Sequence, residues 1–251
     1  GTMKKILFVL LFCAYFSNDL SAQQSSKEAL EIIKKVDKNM FSETQIITSE
    51  MIVYGKRKSR TIRSKGYSKG QQNNFTEYLS PEREKGTKML KLDNRLWIYS
   101  PATDRTIQLS GHLLRQSVMG SDLSYEDMME ERKLSDLYNT KIVGEEIYQG
   151  RPSWIMELTA FVDDLAYDKR ILWVDKNRFV PLKENLYAKS GILLKTTLFM
   201  NIKQIDGRWY PTRLNYKDVL KDGKGTDFVI LDIKFNPAIS DEYFSKSILR
   251  K

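Results

Sequence analysis

Asp206-Gly207-Arg208-Trp209-Tyr210-Pro211-Thr212-Arg213-Leu214-Asn215-Tyr216-Lys217-Asp218, followed by Asp222-Gly223, sets the fold class of this chain. Trp209, Pro211 and the tyrosines interleave with Arg208, Arg213 and Lys217. Such alternation makes a strand with one wet and one dry face, and Asp-Gly at each end is a strong hairpin signal. The same pattern continues outward in both directions. Downstream lies Thr226–Phe235; upstream lie Leu193–Ile202, Phe179–Tyr187, Lys169–Val174, Ser153–Thr159 and Lys141–Tyr148, with turns at Asp175-Lys176-Asn177 and Gln149-Gly150. An earlier series comprises Ile46–Tyr54, Arg60–Ser68, Asn74–Leu79, Thr87–Leu92, Arg95–Tyr99 and Arg105–Leu109, with a turn at Asp93-Asn94. Many consecutive strands with short turns predict an antiparallel meander, arranged as a sandwich or a barrel. No repeat and no low-complexity linker interrupts it, so residues 23–251 are expected to form a single domain.

A sheet with one dry face needs a cover, and three segments can supply one. Ser26–Phe41 has helical spacing, with Leu30, Ile33, Val36 and Met40 on one stripe and Ser26 as the expected N-cap. Ser240–Leu249 is a second helical candidate. The third, Ser110–Leu137, separates the two strand series; an uninterrupted loop longer than ~12–15 residues in a compact domain is usually functional or disordered. It carries Leu113, Leu114, Val118, Met119 and Leu123, then an acidic helix start at Tyr125–Glu131 capped by Asp122 and Ser124. Gly111 and Gly120 bracket the apolar part with permissive backbone, so this inserted loop, at about 110–137, is expected to act as a lid.

The first residues indicate export. Gly1 and Thr2 precede Met3 and read as a cloning remnant. Lys4 and Lys5, the apolar run Ile6–Phe16 and Leu20-Ser21-Ala22 make a signal peptide cleaved after Ala22. The run is too short for a bilayer span, which needs ~20 residues. Cys13 offers an alternative, a lipid anchor, although the large Phe12 precedes it where a small residue is usual. Without its leader the chain keeps 39 of its 41 basic and 31 of its 32 acidic side chains, a net charge of +8, and no cysteine. Its stability must come from a hydrophobic core rather than disulfides. The positive surplus suits an anionic membrane surface or an acidic partner, and export argues against nucleic acid.

Little in the sequence points to catalysis. His112 is the only histidine; Ser110 and Asp122 lie near it, but no strand–turn–helix nucleophile elbow surrounds them. Glu126, Asp127, Glu130 and Glu131 read as a helix start and a solvated face rather than a metal site. Glycine-rich phosphate loops are absent. No enzyme activity, cofactor or metal is expected.

One ordered block resembles a known family. It comprises Gly86-Thr87-Lys88-Met89-Leu90-Lys91-Leu92, Leu96-Trp97-Ile98-Tyr99-Ser100-Pro101, Arg105, Ser110-Gly111-His112 and Gln116-Ser117-Val118-Met119-Gly120-Ser121-Asp122-Leu123-Ser124-Tyr125-Glu126-Asp127. This block is similar to the outer-membrane lipoprotein-sorting-protein family, a branch of the LolA/LolB-like superfamily. The likeness extends over Gly150-Arg151-Pro152 and the Phe235–Leu249 tail. It implies an α+β, mostly antiparallel fold: a half-open β-barrel whose apolar concave face is covered by helices. It also implies a periplasmic carrier of lipoprotein acyl chains or lipids, partnered with an inner-membrane exporter of the resistance-nodulation-division or ABC type and touching membranes transiently. The long 110–137 loop departs from the best-known carriers.

An acyl chain in water costs roughly 0.8 kcal/mol per exposed CH₂, so a carrier needs a dry cavity. Methionines and aromatics adapt to varied chains, and this sequence has nine Met. The cavity candidates are Leu90, Trp97, Tyr99, Phe161, Trp173 and Phe199. The lid candidates are Leu113, Leu114, Val118 and Met119, with Arg115 for a polar head group. An ordinary core residue is the simpler reading of each apolar position. Two functions stay open: a diffusible carrier, and a periplasmic adaptor that binds an exporter and carries nothing.

Overall fold

The computed structural model describes residues 23–251; signal-peptide cleavage after Ala22 and a lipid anchor at Cys13 lie outside the described residues. Helix α1 covers 23–40, so Ser26 sits inside it rather than capping it. Its buried stripe is Ala29, Ile32, Ile33 and Val36, while Leu30 is only half-buried.

Thirteen strands follow, all antiparallel to their neighbours. The first series is β1 (Thr44–Tyr54), β2 (Ser59–Lys69), β3 (Asn73–Ser80), β4 (Lys88–Leu92), β5 (Arg95–Ser100) and β6 (Arg105–Leu109). The second is β7 (Tyr138–Tyr148), β8 (Arg151–Ala160), β9 (Lys169–Asp175), β10 (Pro181–Tyr187), β11 (Leu193–Ile205), β12 (Arg208–Asp218) and β13 (Thr226–Phe235). Each strand expected from alternation is present. Strands adjacent in sequence pair with one another, with one exception. Between the two series, β1 pairs with β13, which leaves β6 and β7 at opposite edges of one sheet. The sheet is therefore an open barrel. The chain from 110 to 137 links those two edges, so its length follows from topology.

This connection is not a bare loop. It contains 3-10 turns at Gly111–Arg115, Val118–Gly120 and Leu134–Asp136, and a short helix α2, Tyr125–Met129. Ser124 caps α2 as expected: its hydroxyl accepts from the Asp127 amide, and the Asp127 carboxylate accepts from the Ser124 amide. Asp122 does something else. Its carboxylate accepts from the Thr226 hydroxyl and the Asp218 amide, fastening the connection to the β12–β13 end of the sheet.

Three apolar clusters hold these parts together. α1 packs Ala29, Ile32, Ile33 and Val36 onto the inner face of β7–β9, against Tyr138, Met156, Leu158 and Leu172. The 110–137 connection packs Val118 and Leu123 onto Met51, Ile62, Tyr78, Met89 and Leu96 of β1–β5. On the opposite, outer face, Phe75, Leu90 and Trp97 are covered by Ile248 and Leu249. The C-terminal segment thus forms 3-10 turns, Asp241–Phe244 and Lys246–Arg250, on the outer face; it does not cover the inner one. No helix among the described residues is long and apolar enough to cross a membrane.

Candidate functional site: the cavity inside the open barrel

The two inner covers do not meet. Between α1, the 110–137 connection and the inner face of the sheet lies a cavity of about 930 Å³. Ligand pockets commonly fall in the range of about 300–1,000 Å³. Leu172 (β9), Leu186 (β10), Phe199 (β11), Leu214 (β12), Phe228 and Ile230 (β13) make one apolar wall. Val36 and Met40 of α1, together with Leu114, Leu123, Met128 and Met129 of the connection, close over it.

The opposite wall differs. Along β2, β3 and β4 the inward-facing set starts apolar beneath the connection, at Ile62, Tyr78 and Met89. It then changes to Ser64, Gly66, Ser68, Thr76, Asn74 and Lys91 where the cavity opens. The period of two is kept while the chemistry of the inner set switches partway along each strand.

Charged groups enter the cavity wall in a bonded network. Arg170 donates to Glu184 at 2.6 Å and to the Tyr138 hydroxyl at 2.9 Å. Its pKa is raised, because Glu184 and Tyr138 outweigh the opposing effect of burial. Asp127 accepts from Lys195 and from the Tyr167 hydroxyl, tying the helix α2 to β11. Asp37, at the end of α1, accepts from the amides of Leu134 (2.9 Å) and Ser135 (3.0 Å) and so anchors the far end of the connection.

Glu131 is the exception in this network. Its Oε1 accepts from Ser68 (3.2 Å) and Asn74 (2.8 Å). Its Oε2 is shut off from solvent and has no hydrogen-bond partner. Burial pushes this carboxyl up to about 7, opposed by nearby Lys91 and by the Ser68 and Asn74 bonds. Burial in turn lowers Lys91, whose ammonium has only a long 3.4 Å contact with the Gln71 carbonyl.

Three solved structures share this architecture. The outer-membrane lipoprotein-sorting protein domain from Vibrio parahaemolyticus is 25% identical with a TM-score of 0.78, covering 90% of this chain and 100% of that one. A DUF1329 family protein from Desulfovibrio piger is 26% identical (TM-score 0.80), covering 90% and 99%. A LolA superfamily protein from Nitrosomonas europaea is 26% identical (TM-score 0.75), covering 88% and 98%. Residues 70–251 match a family model described as an uncharacterized protein family. The chain belongs to the family of that model and has the LolA-like fold of these neighbours. None of the curated proteins matches it in sequence.

In this LolA-like sheet the sequence-derived site residues divide sharply. Phe199 and Leu114 line the cavity. Leu90, Trp97 and Tyr99 do not: they belong to the outward set of β4 and β5 and pack beneath the C-terminal turns. Trp173 is also outside, donating to Glu146 with its ring tilted toward that of Tyr148, because its neighbour Leu172 takes the inward place. Phe161 stands 53% exposed at the end of β8. Leu113, Val118 and Met119 pack against the β1–β6 core rather than over the cavity. Arg115 is exposed and lies off the cavity wall, so it is not placed to meet a head group inside.

His112 is exposed, whereas Asp122 is buried and bonded to Thr226; the two are not assembled with Ser110 into a catalytic group. The acidic run is not a solvated face, since Glu126, Asp127, Glu130 and Glu131 all border the cavity. Among the described residues, no cluster of three metal-ligating side chains occurs. Sequence reasoning missed the polar wall and read Glu131 as part of a solvated face. The signal available was the run of small inward residues Ser64, Gly66 and Ser68 in a strand otherwise rich in large side chains.

Proposed function

We propose that this protein is an exported periplasmic carrier that holds acyl chains of lipoproteins or lipids in the cavity and moves them between membranes. The observation that carries the reading is a partly open space of about 930 Å³ whose β9–β13 wall carries Leu172, Leu186, Phe199, Leu214, Phe228 and Ile230, with Arg170, Glu184 and Lys195 bonded among them. Each CH₂ taken out of water there contributes roughly 0.8 kcal/mol, so a chain of ordinary length is held by the wall alone. The Vibrio parahaemolyticus and Nitrosomonas europaea relatives, named for lipoprotein sorting and for the LolA superfamily, support the same role. Phe199, Leu114, Leu123 and Met128 are the proposed chain contacts. The 110–137 connection is the proposed lid, covering the cavity with Leu114, Leu123, Met128 and Met129. Residues 23–251 act as one carrier domain that touches membranes transiently and receives its cargo from an inner-membrane exporter of the resistance-nodulation-division or ABC type.

The adaptor alternative has one observation in its favour. β7 is an open sheet edge, and it exposes Val143 (49%) and Ile147 (69%), a surface a partner strand would cover. Solvent extraction of freshly purified protein followed by mass spectrometry separates the readings. The carrier holds co-purified acyl lipid in near-stoichiometric amount. An empty cavity that also fails to take up added fatty acid leaves the adaptor.

A further inference from the structure

Three hairpin tips gather at one end of the sheet. Residues 55–58 join β1 to β2, residues 219–225 join β12 to β13, and residues 188–192 join β10 to β11. Because β1 pairs with β13 and β12 with β11, the three tips lie side by side. Lys56 Nζ stands 3.9 Å from an Asp222 carboxylate oxygen across the first gap. Across the second, the Val219 amide donates to the Leu194 carbonyl at 3.0 Å.

These tips combine apolar points with positive charge. Leu220 is 87% exposed and Ile192 64%, and Val219 beside Leu220 is exposed as well. Apolar side chains scattered singly over a surface are ordinary, but these stand on adjoining tips with cations around them. Lys56, Arg57, Lys58, Lys189 and Lys224 are exposed, and Asp222 is the one acidic residue of the three tips. Six basic side chains and one acidic put +5 on these sixteen residues, against +8 for residues 23–251 as a whole. A stable protein partner needs about 800 Å² of continuous surface per side, whereas these apolar side chains stand on separate projections. A bilayer interface accepts such side chains singly, and anionic head groups attract the lysines around them.

We propose that these three tips dock the protein onto an anionic phospholipid bilayer, with Leu220, Val219 and Ile192 entering the interface and the lysines and Arg57 around them facing the head groups. The assignment rests on the membrane visits of the carrier reading and gives them a place. The tip that bears Leu220 also fastens the proposed lid. Lys221 donates to the Ser117 hydroxyl at 2.6 Å and to the Ser121 carbonyl, and the Asp218 amide donates to Asp122. Lys195 and Tyr216, which follow this end along β11 and β12, already belong to the cavity wall. The bilayer therefore meets the protein where the 110–137 connection is held down over the cavity.

The test is cosedimentation of the chain from Gln23 onward with vesicles of phosphatidylcholine alone, or of phosphatidylcholine and phosphatidylglycerol in equal parts. The wild type is expected to bind the mixed vesicles at least about tenfold more tightly than the neutral ones, and to release them as salt is raised. Leu220→Ser combined with Ile192→Ser, both at exposed positions, is expected to weaken binding at least about tenfold with the thermal midpoint unchanged. Residues 23–251 contain no cysteine, so Leu220→Cys can carry a single environment-sensitive dye. Its emission is expected to shift to the blue on the mixed vesicles, while a dye at Asn94→Cys, in the β4–β5 turn at the opposite end of the sheet, stays as in water. This dye measurement decides the matter if the serine variant does not fold. Absence of binding to the mixed vesicles, equal binding to both kinds, or binding untouched by the double variant overturns the inference. A response at Asn94→Cys without one at Leu220→Cys also overturns it. So does a double variant that loses self-association rather than vesicle binding, which makes the tips an interface between copies of the chain. Uptake of a fluorescent fatty acid is read on the same proteins. Vesicle binding without uptake overturns the carrier reading and leaves the docking surface standing; uptake without vesicle binding overturns the docking surface alone.

Discussion

Asp122 and Thr226 are joined by two hydrogen bonds: the Thr226 hydroxyl donates to Asp122 Oδ1 at 2.8 Å and accepts from the Asp122 amide at 2.9 Å. Both residues are buried, and 104 positions separate them in the chain. The pair fastens the middle of the edge-to-edge connection to the first residue of β13. Thr226→Val keeps the shape and removes both bonds, leaving the Asp122 carboxylate with the Asp218 amide alone. The expected cost is about 1–3 kcal/mol. Chemical denaturation should show it, and hydrogen exchange at residues 118–124 should quicken more than elsewhere. Unchanged stability would mean that the Val118 and Leu123 packing holds the connection without this pair.

Glu131 makes stability depend on pH. Its carboxyl is pushed up to about 7 in the folded protein from an ordinary value of 4.5, with burial as the main cause. The folded state therefore binds a proton more readily than the unfolded state between those values. Its contribution is most favourable below pH 4.5 and is lost as pH rises through 7, by about 3 kcal/mol at most. Glu131→Gln removes this dependence. Thermal melts from pH 5 to pH 8 should show the variant gaining on the wild type as pH rises. Parallel curves would place the carboxyl in contact with water.

His112→Ala should leave both the fold and acyl-probe affinity unchanged. The imidazole is exposed at the start of a 3-10 turn, away from the cavity wall. Loss of cellular function by a folded His112→Ala protein would point to chemistry or to a partner surface at the Gly111–Arg115 turn.

Export has a direct readout. Expressed from Met3 in a bacterial host, the chain is expected to begin at Gln23 after cleavage behind Ala22. N-terminal sequencing of the secreted form decides it. A mature end at a lipid-modified Cys13 would make the protein an anchored acceptor rather than a diffusible carrier.

The strands were legible because alternation and turn residues are local signals, as in Arg208–Asp218 between its two Asp-Gly pairs. The capping of α2 by Ser124 was legible for the same reason. Which face turns inward was not. β4 and β5 are apolar on both sides: Met89, Leu96 and Ile98 face in, while Leu90, Trp97 and Tyr99 face out beneath the C-terminal turns. Period two separates these sets without ranking them, and large aromatics favoured the wrong one. The inward side is decided by the β1–β13 pairing and by what covers each face, both of which are long-range. Glu131 was read as solvated surface because an acidic residue after a capped helix resembles it. Its burial depends on Ser68 and Asn74, 63 and 57 positions away.

The central claim is that the space between α1, the 110–137 connection and the sheet holds an acyl chain, and Gly66 offers the most direct test. It lies within β2 on the cavity wall, and a Cβ there would meet only the Thr76 hydroxyl at 3.6 Å and the Ile47 carbonyl at 4.0 Å, which is ordinary contact. Gly66→Leu therefore places a side chain in the cavity without straining the backbone, and removing a strand glycine favours folding. Equilibrium titration of wild type and Gly66→Leu with a fluorescent fatty acid is the decisive measurement. The prediction is saturable binding by the wild type, at least about tenfold weaker in Gly66→Leu, with no fall in thermal midpoint. Equal affinity in a folded Gly66→Leu protein would contradict it, because the chain would then be bound somewhere other than this cavity.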